Sequence, residues 1–525
     1  MSSYIEKADY FTDHEKQFQL GFLPSEDVNP LTAHLSDDFR RSASDGMRAL
    51  VSADRALQPL LEATLVSAEF LALREAVRNT ILNGGRVVFS GCGATGRLAI
   101  LLEAMWRDSA PAPLRNAVYA LMTGGDFALV KSVEFFEDYC EIGARQLADA
   151  EFSAADLLVG ITATGETASI VGSAIEAAKR GAKVFMLICV PKELPPSRLE
   201  RCRILYGFPN VTVLSMPCGG MAVVGSTRMQ STTLEMCVAA AALEAALDGT
   251  PAEKIAAGFK SLTDSMNAPD FTVGIGEAAE SEADHYRHQG LITYIATDYL
   301  LDVITDTTER SPTFMLPQFR RSDDTLSPPS WAFAKNLRLP THAAWCQCLR
   351  REPRCIAWNE EDYRQMGLEK LLAKGVPCIS SADLDMVQIG NETDFGREKA
   401  CLIPVEYKEG CLQIGGFAFL PEVASTRVRL FEHLAVKLSM NDLSTGTMVL
   451  FGRVQGSFMT YLDISNKKLI DRGVRIISTL CGIPDYRQCC RELFRSLEII
   501  EKNQKTGAER RSAVQYTIER LKGDC

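Results

Sequence analysis

The chain has 525 residues, of which 46% are hydrophobic and 23% are charged, with a formal net charge of -11 and a pI near 5.3. This length predicts more than one domain, and the composition is typical of a globular protein. The negative charge argues against nucleic acid as the main partner, and no apolar run reaches the roughly 18 residues that a membrane span requires.

The first half of the sequence alternates between strand and helix patterns after a helical start. Residues 1–85 show leucines at helical spacing. An apolar run at 87–89 leads into glycines, 115–125 is typical of a strand, and 155–190 has the pattern strand, polar turn, helix and strand. This alternation predicts a parallel sheet with helices on both faces, followed by a helical stretch at 226–289.

A second copy of this pattern begins near residue 290. Residues 290–314 repeat the order strand, turn and helix, 354–358 and 375–381 are predicted strands, and 424–525 returns to helical spacing. We therefore predict an α/β protein with two tandem domains, each a parallel sheet flanked by helices in three layers. The predicted units are a helical segment at 1–50, a first α/β domain at 51–284, a second α/β domain at 285–430 and a C-terminal helical region at 431–525.

The segment VVFSGCGATGRLAI at 87–100 contains a glycine-rich turn between a strand and a helix. Its letters match G-x-G-x-x-G, which in dinucleotide-binding folds brings a pyrophosphate onto a helix N-terminus. The Asp or Glu that such folds carry about 20 residues later is not clearly placed. Thr95 lies inside the turn, where its hydroxyl can donate to a single phosphate. The turn therefore favours a phosphate over a dinucleotide.

Two further turns share this chemistry. GITATGET at 160–167 follows another apolar run, and GSTRMQSTT at 225–233 begins another helix. Parallel strands end at the same edge of a sheet, so these hydroxyl-rich turns can converge there, beside helix N-termini that favour anions. Taken singly, each Ser or Thr could simply be a helix N-cap. The three turns together predict a phosphate site.

Several of these motifs resemble the sugar isomerase (SIS) domain of N-acetylmuramic acid 6-phosphate etherases and of glucokinase regulatory proteins. They are FSGCGATGRLAI, MTGGDFALVKSVEFFED, VGITATGETASIVGSAIEAAKRGAK and GSTRM, and 443–477 resembles the helical end that both classes share. The resemblance covers most of 15–260 and 430–490. Because the regulatory proteins have a second SIS domain and the etherases lack an insert like 285–430, it implies two tandem SIS domains, the second degenerate.

The resemblance also implies which residues hold the sugar phosphate. Hydroxyl donors and glycines that allow close approach come from the three turns, and a polar segment near the C-terminus closes over the phosphate. The implied residues are Gly93, Thr95, Gly96, Thr164, Gly165, Ser226, Thr227, Asn466, Lys468 and Arg472. From the sequence alone, Lys468 and Arg472 could equally belong to a solvated basic face.

Etherases of this kind use two glutamates, a base and an acid. The base position falls on Glu137, which without the resemblance would be interpreted as a solvated helical charge. The acid position falls on Met105, which cannot transfer a proton. The matching motif occurs instead in the second domain, where DTTERSPTF at 306–314 supplies Glu309. We therefore expect one composite site with Glu137 and Glu309, the alternative being that Glu309 is a relic at a helix end.

The resemblance implies a protein that binds a hexose 6-phosphate or an amino-sugar phosphate. Its fused two-domain architecture and the degraded glycine turn of the second domain favour a ligand-responsive regulator. The alternative, which rests on the pair Glu137 and Glu309, is an active N-acetylmuramic acid 6-phosphate etherase, a carbon–oxygen lyase that eliminates D-lactate. An aldose–ketose isomerase is disfavoured, because CGGMAVVGS at 218–226 offers Met221 where such enzymes commonly place an ionisable base.

The remaining expectations concern partners, metals and location. We expect a phosphorylated sugar as ligand, a sugar kinase as a possible protein partner, no cofactor, no nucleic acid and no membrane. The two tandem domains would form a pseudo-dimer, so the chain should be a monomer or a weak dimer.

His285 and His288 are a local pair without further ligands, and Cys346 and Cys348 are too close for the usual zinc spacing, so no metal is expected. Without a signal peptide at the N-terminus, a cytoplasmic location with reduced thiols is expected.

Overall fold

A computed structural model describes residues 3–131, 133–372, 379–393, 396–504 and 511–523. Helices dominate the segment before the first sheet, as the leucine spacing predicted. They are α1 (Tyr4–His14), α2 (Leu35–Arg41), α3 (Ala43–Arg55), α4 (Gln58–Leu65) and α5 (Ala68–Leu82). Single 3₁₀ turns at Lys16–Phe18 and Pro24–Glu26 connect α1 to α2.

The first sheet is parallel and has five strands in the order β2-β1-β3-β4-β5. The strands are β1 (Val87–Gly91), β2 (Val118–Met122), β3 (Leu157–Ile161), β4 (Lys183–Ile188) and β5 (Val211–Ser215). Both faces carry helices: α6 (Ala94–Ser109), α7 (Cys140–Asp149), α8 (Ala168–Lys179), α9 (Leu194–Arg198) and α10 (Glu200–Tyr206). Strands β1 and β3 are buried along their whole length, which explains their near-continuous apolar sequence.

Three long helices lead to a second five-stranded sheet with the order β10-β9-β8-β6-β7. The helices are α11 (Gln230–Asp248), α12 (Ala252–Met266) and α13 (Pro269–Arg287). The strands are β6 (Ile292–Ile295), β7 (Ala332–Lys335), β8 (Cys401–Lys408), β9 (Cys411–Ile414) and β10 (Phe417–Phe419). Accompanying helices are α14 (Leu300–Phe314), α15 (Thr341–Leu349), α16 (Glu360–Gln365), α17 (Glu369–Leu372) and α18 (Ser381–Asp385).

The second sheet is parallel only in part. Strands β6, β7 and β8 are parallel, like those of the first sheet, whereas β9 and β10 add an antiparallel edge that the sequence pattern did not predict. The hairpin between β8 and β9 turns at Glu409 and Gly410, both with positive φ (53° and 80°), which suits a tight two-residue connection. The predicted α/β class is confirmed for both halves, and the second sheet is consistent with tandem domains.

Two predicted strands have a different outcome. The segment 354–358 forms no strand, and only Cys355 makes an isolated antiparallel bridge, to Gly125 beyond the end of β2. Of the segment 375–381, positions 375–378 lie outside the described residues, and α18 begins at Ser381. Cys355 therefore connects the two halves of the molecule instead of extending the second sheet.

The C-terminal region returns to the first half and packs against the N-terminal helices, the long helices α11–α13 and α14. It comprises α19 (Leu430–Leu450), the short hairpin β11 (Val454–Gln455) and β12 (Phe458–Met459), α20 (Lys467–Cys481), α21 (Tyr486–Gln504) and α22 (Ala513–Lys522). Helix α19 is buried over most of its length and contacts α13 and α14. Helix α21 contacts α1, so the two ends of the described chain meet.

In the part of the chain that the structure describes, no single helix has both the length and the apolar composition to cross a membrane. One bent helix pair, Ala43–Leu65 with Ala68–Leu82, meets the length and composition criteria together across a 70° bend.

Helices α7 and α8 touch backbone to backbone through two glycines. A Cβ on Gly143 would lie 1.7 Å from the carbonyl oxygen of Ser169, and a Cβ on Gly172 would lie 2.0 Å from that of Cys140. We expect Gly172→Ala to lower the free energy of unfolding by about 1–3 kcal/mol, because the helices must separate. Chemical denaturation measures the change. Gly207→Ala is the control, because a Cβ at this position would lie no closer than 3.4 Å to the atoms that it would meet. Equal losses of unfolding free energy in both variants would contradict the close packing of α7 on α8.

Candidate functional site

A cavity opens where the first sheet's strands β1 and β3 end, between α14 and the start of α20. About 110 Å³ of it can be reached by the centres of water molecules. Ten of the twelve residues predicted for the site line this cavity: Gly93, Thr95, Glu137, Thr164, Ser226, Thr227, Glu309, Asn466, Lys468 and Arg472. Residues from both halves and from the C-terminal region therefore meet at one place.

The first turn leads directly into α6. Gly93 caps the helix with φ of 54°, a conformation that favours glycine, and lines the cavity. The Thr95 hydroxyl donates to the carbonyl oxygen of Cys92 at 3.0 Å and accepts from the amide of Cys92 at 3.1 Å. Gly96 was expected at the phosphate but does not line the cavity. A Cβ at this position would lie 2.7 Å from Met122 Cγ, so this glycine allows α6 to pack closely on β2.

The second turn is held closed by its own side chains. The Thr164 hydroxyl donates to Glu166 Oε1 at 3.0 Å, and Arg201 binds the other carboxylate oxygen at 2.5 Å. Gly165 again differs from the prediction, since it does not line the cavity. Its φ is 72°, and a Cβ at this position would lie 3.1 Å from the Pro195 ring. Gly165 therefore shapes the turn instead of admitting a ligand.

The third turn supplies an unpaired donor. The Ser226 hydroxyl is buried and has no hydrogen-bond partner among the described residues. Gly225, with φ of 73°, leaves room for the guanidinium of Arg472, which would lie 2.3 Å from a Cβ at this position. A buried hydroxyl without a partner is costly unless something else accepts its hydrogen, so Ser226 is a strong candidate for ligand contact.

Glu137 is held by the N-terminal turn of α20. Its two carboxylate oxygens accept from the Lys468 ammonium and, at 3.2 Å, from the Asn466 side-chain amide. Burial acts to lower the pKa of Lys468, but the charges of Glu137 and Glu166 outweigh it, and the pKa lies above its usual value. Lys468 therefore stays positively charged beside the cavity.

Glu309 lies across the cavity on α14 and accepts from the guanidinium of Arg97, a fully buried residue of α6. Arg97 also donates to the Thr308 hydroxyl at 3.0 Å and to the carbonyl oxygen of Leu129. The carboxylates of Glu137 and Glu309 thus face one cavity although the second comes from the other half of the chain. Both are engaged by cations in this structure.

Arg472 is oriented by a buried carboxylate from the N-terminal segment. Glu26 accepts from Arg472 Nη2 at 2.5 Å and from Arg475 Nη2 at 2.5 Å. Burial alone would raise the pKa of Glu26, but the two guanidinium groups lower it to about 2. This ion triad fixes the guanidinium of Arg472 at the cavity wall.

Asp138, next to Glu137, should make folding stability depend on pH. Burial and then the charge of Glu137 raise its pKa to about 7. Since the folded chain disfavours the ionised form, stability is lost as pH rises from the ordinary pKa of an aspartate towards 7. We expect Asp138→Asn to remove this loss, on the order of 2–3 kcal/mol, with the gain growing between about pH 4 and pH 7 in denaturation curves. Asp9, whose pKa the hydrogen bond from Arg491 lowers, should give no such rise when it is replaced by Asn. A gain independent of pH in Asp138→Asn would contradict the assignment.

Sequence reasoning missed three residues that complete the site. Arg97 follows the first glycine turn by one position, Arg228 belongs to the third turn, and Glu26 lies in the N-terminal segment. Arg228 donates to Asp306 Oδ1 at 2.7 Å and to the Thr445 hydroxyl at 2.8 Å, which links the third turn to α14 and α19. An arginine at the end of the first and third turns was the signal available in the sequence; no sequence feature indicated Glu26.

Part of the first half matches a known family model. Residues 71–179 match the sequence model of the glucokinase regulatory protein N-terminal SIS domain. The predicted resemblance to SIS domains is therefore confirmed for this part of the chain.

N-acetylmuramic acid 6-phosphate etherases are similar over a longer stretch. The etherase of Picosynechococcus sp. is 33% identical over 218 residues, which are 41% of this chain and 65% of that protein. The etherase of Yersinia pestis (strain Pestoides F) is 29% identical over 219 residues, 42% of this chain and 68% of that protein. The chain thus spans just under two thirds of the length of the first of these relatives.

A solved structure is similar at low sequence identity. It is the tagatose-6-phosphate ketose/aldose isomerase of Escherichia coli, with a TM-score of 0.39 and 12% identity, covering 78% of this chain and 94% of that one.

Proposed function

We propose that the chain binds a phosphorylated hexose or amino sugar in this cavity and acts as a ligand-responsive regulator. The observation that carries the proposal is the unpartnered, buried Ser226 hydroxyl facing the same cavity as Lys468 and Arg472. A phosphate supplies the acceptor that Ser226 lacks and pairs with both cations. The first turns of α6 and α20 add partial positive charge at the cavity.

A thermal-shift series tests the binding. Fructose 6-phosphate, glucose 6-phosphate and N-acetylglucosamine 6-phosphate are compared with their unphosphorylated sugars, inorganic phosphate and NAD. We expect at least one hexose phosphate to raise Tm in a concentration-dependent manner, because a ligand that binds only the folded state stabilises it. A shift with NAD and none with any sugar phosphate would contradict the proposal.

Ser226→Ala should change stability and binding in opposite directions. Removing a buried hydroxyl that has no partner should leave the free energy of unfolding unchanged or slightly higher. The same change should weaken sugar-phosphate binding by about 1–3 kcal/mol, because the phosphate loses a donor. Calorimetric titration and denaturation measure the two effects. Ser215→Ala is the control, because the Ser215 hydroxyl lies outside the cavity and donates to the carbonyl oxygen of Val190 at a distance of 2.8 Å. Lost stability with unchanged binding in Ser226→Ala would argue against the site.

Regulation is supported by the origin of the cavity walls. Gly93 and Ser226 come from the first half, Glu309 from the second, and Lys468 from the C-terminal region. A ligand that contacts all four holds these parts in one arrangement, which a protein partner can recognise. We expect a sugar kinase of the glucokinase type to be inhibited by the chain in a sugar-phosphate-dependent manner, and inhibition that ignores the ligand would contradict this step.

The second candidate is N-acetylmuramic acid 6-phosphate etherase activity, favoured by the two carboxylates that face one cavity. In this chemistry Glu137 removes the proton from C2 of the open-chain sugar, beside the aldehyde, and the C2–C3 double bond forms as the C3–O bond to lactate breaks. Glu309 protonates the departing lactate oxygen. Both must first leave their present partners, Lys468 and Arg97. Incubation with N-acetylmuramic acid 6-phosphate separates the candidates: we expect binding without D-lactate release. Release that Glu137→Gln abolishes would establish the lyase instead.

A further inference from the structure

A cluster of metal-ligating side chains lies on the second half, away from the cavity. His342 and Cys346 are four residues apart on α15, so their side chains share one face of the helix. Arg350 ends this helix in the left-handed conformation, with φ of 56°, and the chain turns so that Glu352 comes back beside His342. One potential ligand atom from each of His342, Cys346 and Glu352 lies within 4.8 Å of the other two.

The distances fit the edges of a zinc tetrahedron. Zinc binds nitrogen at about 2.0–2.1 Å, oxygen at about 2.0–2.2 Å and sulfur at about 2.3 Å, so tetrahedral geometry places nitrogen about 3.4 Å from oxygen and about 3.6 Å from sulfur. The Nε2 atom of His342 lies 3.2 Å from Glu352 Oε2 and 3.6 Å from Cys346 Sγ. An ion can therefore enter between them with small side-chain adjustments.

The other imidazole nitrogen is already held in the manner of a metal-bound histidine. His342 Nδ1 lies 3.1 Å from Asp385 Oδ2, at the end of α18. A carboxylate at this position fixes the ring orientation and directs Nε2 to the metal. The His342 side chain is 57% exposed and that of Glu352 is 78% exposed, so an ion can reach the cluster from solvent and keep a water as a fourth ligand.

We propose that His342, Cys346 and Glu352 form a Zn²⁺ site with Asp385 as the positioning residue. Thiolate and imidazole ligands favour Zn²⁺ over Mg²⁺ and Ca²⁺. The ligands lie outside the composite cavity, so the site is independent of the proposed sugar-phosphate function. The sequence prediction of no metal rested on local spacing, and these residues are spread over 342–385.

The position of Glu352 indicates what bound zinc would do. Its neighbour Arg351 donates to Asp126 Oδ1 at 3.0 Å and to Glu103 Oε2 at 3.0 Å, both in the first half of the chain. Zinc would tie this connecting segment to α15 and so stiffen the junction between the halves. Without zinc, exposed histidine–carboxylate pairs contribute little to that junction.

Metal titration of the full, reduced chain tests the proposal. We expect saturable one-to-one Zn²⁺ binding by calorimetry, and Co²⁺ should give a thiolate-to-cobalt absorption band together with the bands of tetrahedral cobalt. Cys346→Ser should abolish the thiolate band and weaken Zn²⁺ binding at least tenfold, and Asp385→Asn should weaken it by roughly 10–100-fold while keeping the band. Circular dichroism checks that each variant is folded.

Two exposed residues outside the cluster provide matched controls, Cys401→Ser and His288→Asn, which should bind as the parent chain does. If a variant of Cys346 fails to fold, Glu352→Gln gives the same comparison at an exposed carboxylate. Absence of saturable Zn²⁺ binding, or a thiolate band and affinity that survive Cys346→Ser, would overturn the proposal.

Discussion

Replacing Arg310 with methionine is expected to lower the free energy of unfolding by about 3–5 kcal/mol, because it leaves the buried Glu282 without a cation and Asp306 with Arg228 alone. Arg310 is fully buried on α14, where Nη1 lies 2.6 Å from Glu282 Oε1 and Nη2 lies 2.7 Å from Asp306 Oδ2. The side chains of Glu282 and Asp306 are each 2% exposed. Water therefore cannot solvate the charges that the substitution would leave behind.

Denaturant unfolding measures this loss, and an exposed ion pair provides its control. Arg48 lies 2.8 Å from Asp45 with its side chain 52% exposed, so Arg48→Met should cost no more than about 1 kcal/mol. Adding Glu282→Gln to Arg310→Met should recover part of the loss, since it removes the charge that has lost its cation. Equal stabilities for Arg310→Met and Arg48→Met would show that the buried network does not support α14.

Lys468→Met is expected to weaken sugar-phosphate binding by about 1.5–3 kcal/mol, or roughly 10–150-fold, because the phosphate loses a charge-assisted hydrogen bond. Burial and the contact with Glu137 keep the ammonium within the cavity wall, where solvent screens it little. A hydrophobic residue of similar length preserves the packing of α20 while removing the charge. Calorimetric titration with the hexose phosphate that gives the largest thermal shift measures the change.

The adjacent lysine is the matched control. Lys467 pairs with Glu15 at 2.7 Å and lies over the ring of Phe18, outside the cavity. Lys467→Met removes the same charge from the same helical turn, so it should leave the affinity within about twofold, the size of a small surface effect. Similar losses in both variants would mean that general electrostatics and not a direct contact governs binding.

The sequence predicted the site best where hydroxyl-bearing residues directly follow a strand. The turns that hold Thr95, Thr164 and Ser226 were identifiable because hydroxyl residues follow apolar runs and lead into helices. Glu309 was found only through the resemblance of DTTERSPTF to the etherase motif. All four line the cavity in the structure.

The sequence could not predict contacts between distant segments. Arg97 meets Glu309 at a separation of 212 residues, and Glu26 meets Arg472 at a separation of 446 residues. Nothing local to Glu26 distinguishes it from a solvated acid, because its partners are set by the return of α20 to the N-terminal segment. The glycines mislead for the same reason: Gly96 faces Met122 of a neighbouring strand, so packing and not the ligand explains it.

The order of the cavity residues along the chain has a consequence for protein synthesis. Gly93 and Ser226 leave the ribosome well before Lys468 and Arg472, since Lys468 follows Ser226 by 242 residues. At about 5–20 residues per second, the first α/β domain can fold tens of seconds before α20 exists. A nascent chain that has not yet reached α20 would therefore expose the hydroxyl turns without the two cations. Under the proposed function, the sugar phosphate would be captured only once α20 has been made.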